Sequence, residues 1–275
     1  DPLWSRGLGD VYKRQLFAWC LGVALLAVLK PLLVLLQASF AKAWGRGFSL
    51  DNLTFRNYHM LLFEHDMALQ SVWNTIWFSA ASASLALILA LLIAYIVVRK
   101  LFRFADGLAF LAMAPFVIPG IVMAIGFYAA YAGPPLMLYG SALLIILAFA
   151  ARFLPIAYAN AQASIRAVHP EMEEAARILG SGRLQTIRRV TAPLLKTSLL
   201  GGWLVVFIVA SRELSAAIFL VGPRTRTMSV LLYDLSEQGN FELVSAFGGI
   251  LLVITMVFVG IGMKLVGRDF MLRRD

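Results

Sequence analysis

The sequence predicts an all-α, polytopic membrane protein with six transmembrane helices. Of its 275 residues, 61% are hydrophobic and 14% are charged, and the mean hydropathy is +0.82. This composition is far more apolar than that of a soluble domain. The apolar residues also fall into runs that are long enough to cross about 30 Å of hydrocarbon. The net charge of +9 would suggest nucleic-acid binding in a soluble protein, but here the basic residues border apolar runs. We therefore expect these residues to set the topology, and we expect no nucleic-acid partner.

Six apolar runs form the predicted spans. In chain order they are Leu16–Phe40, Ser71–Val98, Asp106–Tyr131, Gly140–Ala161, Thr197–Val221 and Val244–Val266. The short loop after the second span carries Arg99, Lys100 and Arg103, and such an excess of basic residues is typical of cytoplasmic loops. Six spans then place both termini, and the polar segment after the fourth span, on the cytoplasmic side.

The third predicted span is interrupted by Pro115 and by Pro119-Gly120. Proline in a helix removes a hydrogen bond and clashes with the preceding turn, so we expect this span to be kinked or broken. Irregular backbone at membrane depth is tolerated where it lines a cavity or packs on protein. Pro119 and Gly120 could therefore shape a translocation path or form a structural kink.

Charged residues inside predicted spans are candidates for a translocation path, because they are costly at membrane depth. Lys30 could face such a path, or it could reach the interface or a wet groove. Arg212 and Glu213 are neighbours and point in different directions on a helix, so each needs its own partner. They could line the path or tie spans together. Arg152, in the fourth span, is expected to reach toward the interface.

No catalytic residue, cofactor or metal site is predicted. The three histidines are scattered, without the spacing of metal ligands, and Cys20 is the one cysteine in the chain. The sequence has no Gly-x-x-x-x-Gly-Lys-Ser/Thr loop to cradle ATP phosphates, so energy from ATP must come from another chain. An intramembrane enzyme would need a catalytic constellation that the spans do not contain.

A secondary transporter is the alternative class. In that case Lys30, Arg212 and Glu213 would couple transport to an ion gradient, and uptake would need no ATPase. This alternative leaves the organisation of the polar segment after the fourth span unexplained.

That polar segment, residues 163–195, is predicted to hold two short helices around a glycine corner. Pro170 can lie in the first turn of the first helix, and Gly180 ends it as a C-cap glycine would. Pro193 is expected to stop the second helix. Met172 and Leu179 belong to one apolar stripe. An amphipathic helix pair between spans is suited to dock a partner at the membrane surface.

The spacing Glu174-Ala175-Ala176, three residues, Gly180, nine residues, Val190-x-Ala192-Pro193 resembles the EAA loop of ABC-importer permeases. In that family the pattern ends in Ile-x-Leu-Pro, so Val190 and Ala192 depart from it. The resemblance implies the type I ABC importer permease fold in the bacterial cytoplasmic (inner) membrane. It also implies that this loop is a coupling helix held in a groove of an ABC ATPase subunit. The implied coupling residues are Glu171, Glu174, Ala175, Ala176, Gly180, Val190 and Pro193.

Other stretches extend the resemblance over most of the chain from about residue 50. They are Leu53–Tyr58, Ala114–Val122, Arg152–Pro155, Ser211–Ala216 and Thr227–Tyr233. The family implies further partners, namely a periplasmic or lipoprotein solute-binding protein, a second permease half (fused, identical or separate) and membrane lipid. We expect Thr227–Tyr233 to face the binding protein. The last two stretches resemble ferric iron and phosphonate permeases, while polyamine, thiamine and sulfate stay possible as cargo.

Residues 1–15 do not resemble the rest of the chain. They lack an initiator Met, and Asp10–Gln15 matches the translation of a transposon adapter used in sequencing libraries. We expect residues 1–15 to be such a scar, or else a basic leader, and residues 16–275 to form one transmembrane domain. A scar would fit the second half of a fused permease.

Overall fold

The chain is built almost entirely of helices. A computed structural model describes the backbone of residues 3–266 and the side chains of residues 11–182, 185–186 and 188–264. Residues 1–2, at the start of the predicted scar or leader 1–15, lie outside the described residues. So do residues 267–275, at the end of the predicted domain 16–275. The described α-helices are α1 (Leu3–Ala24), α2 (Lys30–Ser39), α3 (Arg56–His59), α4 (Asp66–Val98), α5 (Ala105–Met113), α6 (Gly120–Tyr131), α7 (Ala142–Arg166), α8 (Pro170–Ile178), α9 (Arg183–Thr186), α10 (Ala192–Ala210), α11 (Ala217–Leu220), α12 (Met228–Glu237) and α13 (Phe241–Val266).

Five helical segments in the described part of the chain are long and apolar enough to cross a membrane. They are Val11–Ser39, Asp66–Val98, Ala142–Arg166, Arg188–Ala210 and Phe241–Lys264. A sixth span is obtained if the bent pair Ala105–Phe116 and Gly120–Tyr131, whose axes meet at 110°, is one broken span. The predicted all-α, multi-pass class is therefore confirmed, and so is the break at Pro119.

The chain forms two compact units, one of residues up to 64 with 235–250 and one of 65–234 with residues from 251 onward. In the first unit a π-helical turn, Leu25–Leu29, joins α1 to α2. Pro31 lies in the first turn of α2, where its missing N–H costs little. No residue in the most apolar window of Val11–Ser39 is buried, as expected of a helix surface that faces lipid.

The segment after α2 fastens its end. The Asn57 amide donates to the carbonyl oxygens of Ser39 (3.0 Å) and Ala41 (2.9 Å), and the Tyr58 hydroxyl donates to Ser39 Oγ (2.9 Å). Phe40 packs edge-on against Phe55, with ring centroids 5.2 Å apart. The stretch Leu53–Tyr58 thus stabilises the exit from the first span.

In the second unit α4 packs along α7, and α10 packs against both. The α4 face in this interface is a row of fully buried alanines, Ala83, Ala86, Ala90 and Ala94, at helical spacing. Small side chains let helix backbones approach closely in a membrane, where packing is a main source of association. The core continues through Phe149 of α7 and the other buried residues of these helices.

The predicted fifth span, Thr197–Val221, is not continuous. Helix α10 ends at Ala210, and the chain then has no α-helix until α11 begins at Ala217. Within this stretch a side chain takes the place of a helical acceptor, because Glu213 Oε1 accepts the Ala216 N–H at 2.9 Å, just before α11 begins. We call residues 211–216 the α10–α11 break.

Most of the stretch Thr227–Tyr233 is buried within the second unit. Thr227 is 2% exposed, and the Ser229 hydroxyl donates to the carbonyl oxygen of Glu213 (2.8 Å). The Met228 N–H donates to Thr75 Oγ1 at 2.8 Å, which ties the start of α12 to α4. The expectation that this whole stretch faces a partner is therefore wrong for these buried residues, although Tyr233 is 40% exposed.

Candidate functional site

A partly buried ion pair lies at the α10–α11 break. Arg152 Nε of α7 donates to Glu213 Oε2 at 3.0 Å, and the two side chains are 22% and 8% exposed. The other carboxylate oxygen of Glu213 accepts the Ala216 N–H. A charge out of water must be paired and hydrogen-bonded, and both oxygens of Glu213 meet that need.

Gly120 makes room for the arginine of this pair. A Cβ atom placed on Gly120 would lie 2.6 Å from both Cζ and Nη1 of Arg152. The guanidinium therefore rests on the backbone at the start of α6, directly after Pro119, where the third span bends. The structure thus brings Gly120 and Glu213 together through Arg152. We call these three residues the Arg152 cluster.

Arg152 is the member whose partners the sequence did not reveal. Its guanidinium is held between Gly120 and Glu213, and the expectation that it reaches toward the interface stays a prediction. The signal that could have found it is charge balance. A carboxylate at membrane depth needs a cation at similar depth, and the neighbouring span supplied one.

The other predicted path residues are not part of this cluster. Arg212 is exposed, so its side chain and that of Glu213 have different surroundings, as their adjacency predicted. Lys30 is exposed and belongs to the first compact unit.

An open cavity of about 620 Å³ lies beside α7 in the second unit. Phe116 and Pro155 form part of its apolar lining, and its polar groups come from Asn160, Ser164 and Ser198. The Ser164 hydroxyl donates to the carbonyl oxygen of Asn160 at 2.8 Å. The cavity thus presents amide and hydroxyl groups within a largely apolar wall, an arrangement that can orient a polar solute.

The polar loop after the fourth span has the predicted first helix and glycine corner. Helix α8 begins at Pro170, and Gly180 has φ +87°. The Gly180 N–H donates to Arg177 O (2.9 Å), and the Ser181 N–H donates to Ala176 O (3.0 Å). These are the two bonds of a Schellman motif, which needs a residue in the left-handed region and favours glycine there.

Most predicted coupling residues of this loop are accessible. Glu171, Glu174, Ala175 and Gly180 are exposed, and Ala176 and Val190 are half-buried. The apolar side chains of Ile178 and Leu179 at the end of α8 are 85% and 86% exposed.

Pro193 does not stop the second helix, contrary to the prediction. Helix α9 passes through a π-helical turn, Ile187–Thr191, directly into α10, and Pro193 lies in the first turn of α10. Pro193 is tolerated there because it directly follows the change from the π-helical turn to the α-helix, where the regular hydrogen-bond ladder is interrupted.

Glu173, a residue not singled out from the sequence, is 2% exposed within the same helix. Its Oε1 accepts bonds from Arg99 Nη2 (3.0 Å) and Thr191 Oγ1 (3.1 Å), and its Oε2 accepts one from the Tyr95 hydroxyl (3.2 Å). One carboxylate therefore connects α8 to the end of α4 and to the start of α10.

Comparison with known proteins identifies the class. The family model described as "Binding-protein-dependent transport system inner membrane component" matches residues 86–270, about two thirds of the chain. The match includes the Arg152 cluster and the whole polar loop. The chain belongs to this family, and it is a multi-pass membrane component of a transport system.

Particular relatives fall into two size classes. The ferric transport system permease protein FbpB of Actinobacillus pleuropneumoniae is 34% identical over 223 residues, which are 80% of this chain and 32% of the relative. The spermidine/putrescine transport system permease protein PotC of Escherichia coli K12 is 26% identical over 245 residues, 87% of this chain and 89% of the relative. The chain thus spans about a third of the length of the ferric permease.

Solved structures share the fold. The bacterial ABC transporter involved in alginate import contains a chain that superimposes with a TM-score of 0.77 at 17% identity, covering 98% of this chain and 99% of that one. A chain of the MetNI methionine ABC transporter gives a TM-score of 0.61 at 14% identity, covering 72% and 94%.

Proposed function

We propose that this chain is the permease part of an ATP-driven importer, powered by a separate ABC ATPase. The observation that carries the proposal is the surface of α8. Ile178 and Leu179 expose most of their apolar area beside the Glu174-Ala175-Ala176 sequence. Large apolar side chains that face water on a short, sharply ended helix are typical of a docking element. Membership of a transport-system family supports this reading.

Each predicted coupling residue has a physical role in this proposal. Ala175 and Ala176 let the partner approach the helix backbone, and Gly180 fixes the angle at which α8 ends. Glu171 and Glu174 offer exposed charges to the partner. Val190 and Pro193, in the helical connection to α10, carry the displacement into the membrane.

The translocation path is proposed to pass the bend of the third span. The Arg152 cluster joins that bend, through Gly120, to α7 and to the α10–α11 break. Pro119 supplies the bend, and Arg212 is the exposed charge of this unit that would meet the solute. The ion pair holds these breaks together without leaving a net charge at that point of the path.

Further partners complete the proposed importer. A periplasmic or lipoprotein solute-binding protein delivers the cargo. A second permease half, either fused, identical or separate, encloses the path from the other side. The importer is proposed to lie in the bacterial cytoplasmic (inner) membrane.

Ferric iron is the proposed cargo. The 34% identity to FbpB of Actinobacillus pleuropneumoniae and to a putative FbpB of Haemophilus influenzae supports it. A polyamine is the second candidate, because PotC aligns over 89% of its own length. A phosphonate is a third, since a putative 2-aminoethylphosphonate permease protein, PhnV, of Salmonella choleraesuis aligns over 94% of this chain at 21% identity.

The test is uptake by the native transporter, purified with its ATPase and binding protein and reconstituted in vesicles. We expect labelled ferric iron to accumulate when ATP is supplied, and not in a matched preparation without ATP. Labelled spermidine and 2-aminoethylphosphonate serve as parallel substrates and decide between the cargo classes. Uptake driven by an ion gradient in the absence of the ATPase would contradict the proposal and favour a secondary transporter.

A further inference from the structure

We propose that Glu173 is a positioning residue that fastens the coupling helix α8 to two transmembrane helices, α4 and α10. The inference rests on the proposed function, and it names the internal contacts through which a displacement of α8 reaches the membrane. Glu173 faces inward at 2% exposure, whereas Glu171 and Glu174 on the same helix are exposed. The helix thus has two exposed carboxylates that a partner can contact, and one buried carboxylate that contacts other helices of this chain.

The connection to α4 is made at the last turns of that helix. Arg99 is the C-cap of α4, and its Nη2 donates both to Glu173 Oε1 (3.0 Å) and to the carbonyl oxygen of Val168 (3.1 Å). Tyr95 precedes Arg99 by four residues, so the two side chains share a face of α4, and the Tyr95 hydroxyl reaches Glu173 Oε2. Two donors from one helix end therefore converge on one carboxylate.

The connection to α10 is made at the residue that directly precedes this helix. Thr191 is the N-cap of α10 and is 1% exposed, and its hydroxyl donates to Glu173 Oε1 at 3.1 Å. The carboxylate thus accepts bonds from the end of α4 and from the start of α10.

A cleft of about 320 Å³ separates parts of α8 from the segment that follows α4, and Pro170 and Leu101 are among its lining residues. Two cations face this carboxylate, Arg99 with its Nη2 3.0 Å from Oε1 and Arg177 with its Nη2 4.0 Å from Oε2. The shorter pair, with Arg99, is the one that joins α8 to another helix, and breaking a buried pair costs far more than losing an exposed one. A movement of α8 is therefore transmitted to α4 and α10, because the alternative is to break the bonds of Glu173.

The experiment measures solute transported per ATP hydrolysed in the reconstituted native transporter. Glu173→Gln keeps the shape of the side chain and removes its charge. We expect it to keep ATP hydrolysis and to lower the transported solute per ATP about tenfold, a typical size for a coupling between sites. The matched control is Asp106→Asn, which removes one exposed carboxylate from the first turn of α5. We expect the control to keep the wild-type ratio.

A charge swap gives the second measurement. Arg99→Glu combined with Glu173→Arg is expected to recover part of the ratio that each single variant loses, which a general loss of folding would not allow. A wild-type ratio in Glu173→Gln, or parallel loss of uptake and ATP hydrolysis, would overturn the inference and leave the proposed function standing. If the wild-type transporter takes up no solute with ATP, the proposed function fails, and this inference fails with it.

Discussion

Arg152 connects three stretches that are far apart in the chain. Its Nε binds a carboxylate 61 positions later, and its guanidinium rests on a glycine 32 positions earlier, at the bend of the third span. Replacement of Gly120 by any other residue would put a side chain where the guanidinium lies. The glycine is therefore needed for the close approach of Arg152, and its own φ is not in the left-handed region.

Gly120→Ala tests this packing at the scale of a single methyl group. The added Cβ would sit 2.6 Å from Arg152 Cζ, and the arginine cannot move away freely because Glu213 holds it. We expect a loss of about 1–3 kcal/mol of stability, as for overpacking elsewhere. The measurement is the thermal midpoint of the purified protein in detergent.

Gly126→Ala is the matched control for that variant. Gly126 lies in the same helix and is exposed, and an added Cβ would have nothing within 4 Å. The same substitution there should be neutral or should add up to about 1 kcal/mol, since alanine favours the helix more than glycine does. Equal thermal midpoints for the two variants would mean that the Arg152 side chain moves aside with no loss of stability, which would contradict the prediction.

At the scale of elements, the glycine corner after α8 sets the direction in which the proposed docking helix ends. We predict that Gly180→Asp abolishes uptake while the protein stays in the membrane and the ATPase continues to turn over. An L-residue at φ +87° is strained by about 1–2 kcal/mol, so the Schellman motif opens and the end of α8 changes direction. Ala175→Arg should have the same effect, because a long charged side chain on the exposed face keeps the partner away.

Gly182→Asp provides the comparison within the same loop. Gly182 has no positive φ and directly precedes α9, a position where aspartate is a favoured N-cap. We expect membrane levels and uptake close to wild type. The prediction for Gly180 is contradicted if its variant transports normally at normal expression, or if both aspartate variants lose uptake alike.

The breaks in the helices differ in how far the sequence could anticipate them. Pro119 and Gly120 predict the bend of the third span from the local sequence alone, because each residue type disfavours a continuous helix in any surroundings. The end of α10 has no such local signal. Around this end, Ser229 binds the backbone carbonyl of Glu213 and Arg152 binds its carboxylate. These partners lie 16 and 61 positions away, so the contacts produce no periodic pattern in the local sequence. The same applies to Glu173, whose partners lie up to 78 positions away.

At the scale of the whole molecule, the candidate site also has one part that local sequence signals predict and one part that depends on distant contacts. The spacing from Glu174 to Gly180 predicted the docking helix and its corner, since both depend on neighbours within one or two turns. The Arg152 cluster could be predicted only in part, because Gly120 and Glu213 each stood out but their common partner did not.

The exposed surface of the first helical segment implies that lipid or another membrane helix covers it. Cys20, the one cysteine of the chain, lies on this surface and reports on it. We predict that a charged, membrane-impermeant maleimide labels Cys20 in open native membranes roughly tenfold more slowly than it labels an exposed loop thiol, because the charged reagent is excluded from hydrocarbon. The loop reference is Ser49→Cys in a Cys20→Ser background, since Ser49 is exposed. Equal labelling rates would show that water reaches this part of the helix.

The bond between Arg99 and Glu173 also has a consequence for biogenesis. Glu173 is synthesised 74 residues after Arg99, so at 5–20 residues per second roughly 4–15 s pass before the carboxylate exists. During that interval the guanidinium is a free positive charge at the end of a newly inserted helix, which is when such a charge holds the helix end in the cytoplasm. The residue expected to orient α4 during translation is then paired with a carboxylate of the loop that, in the proposed mechanism, moves with α4.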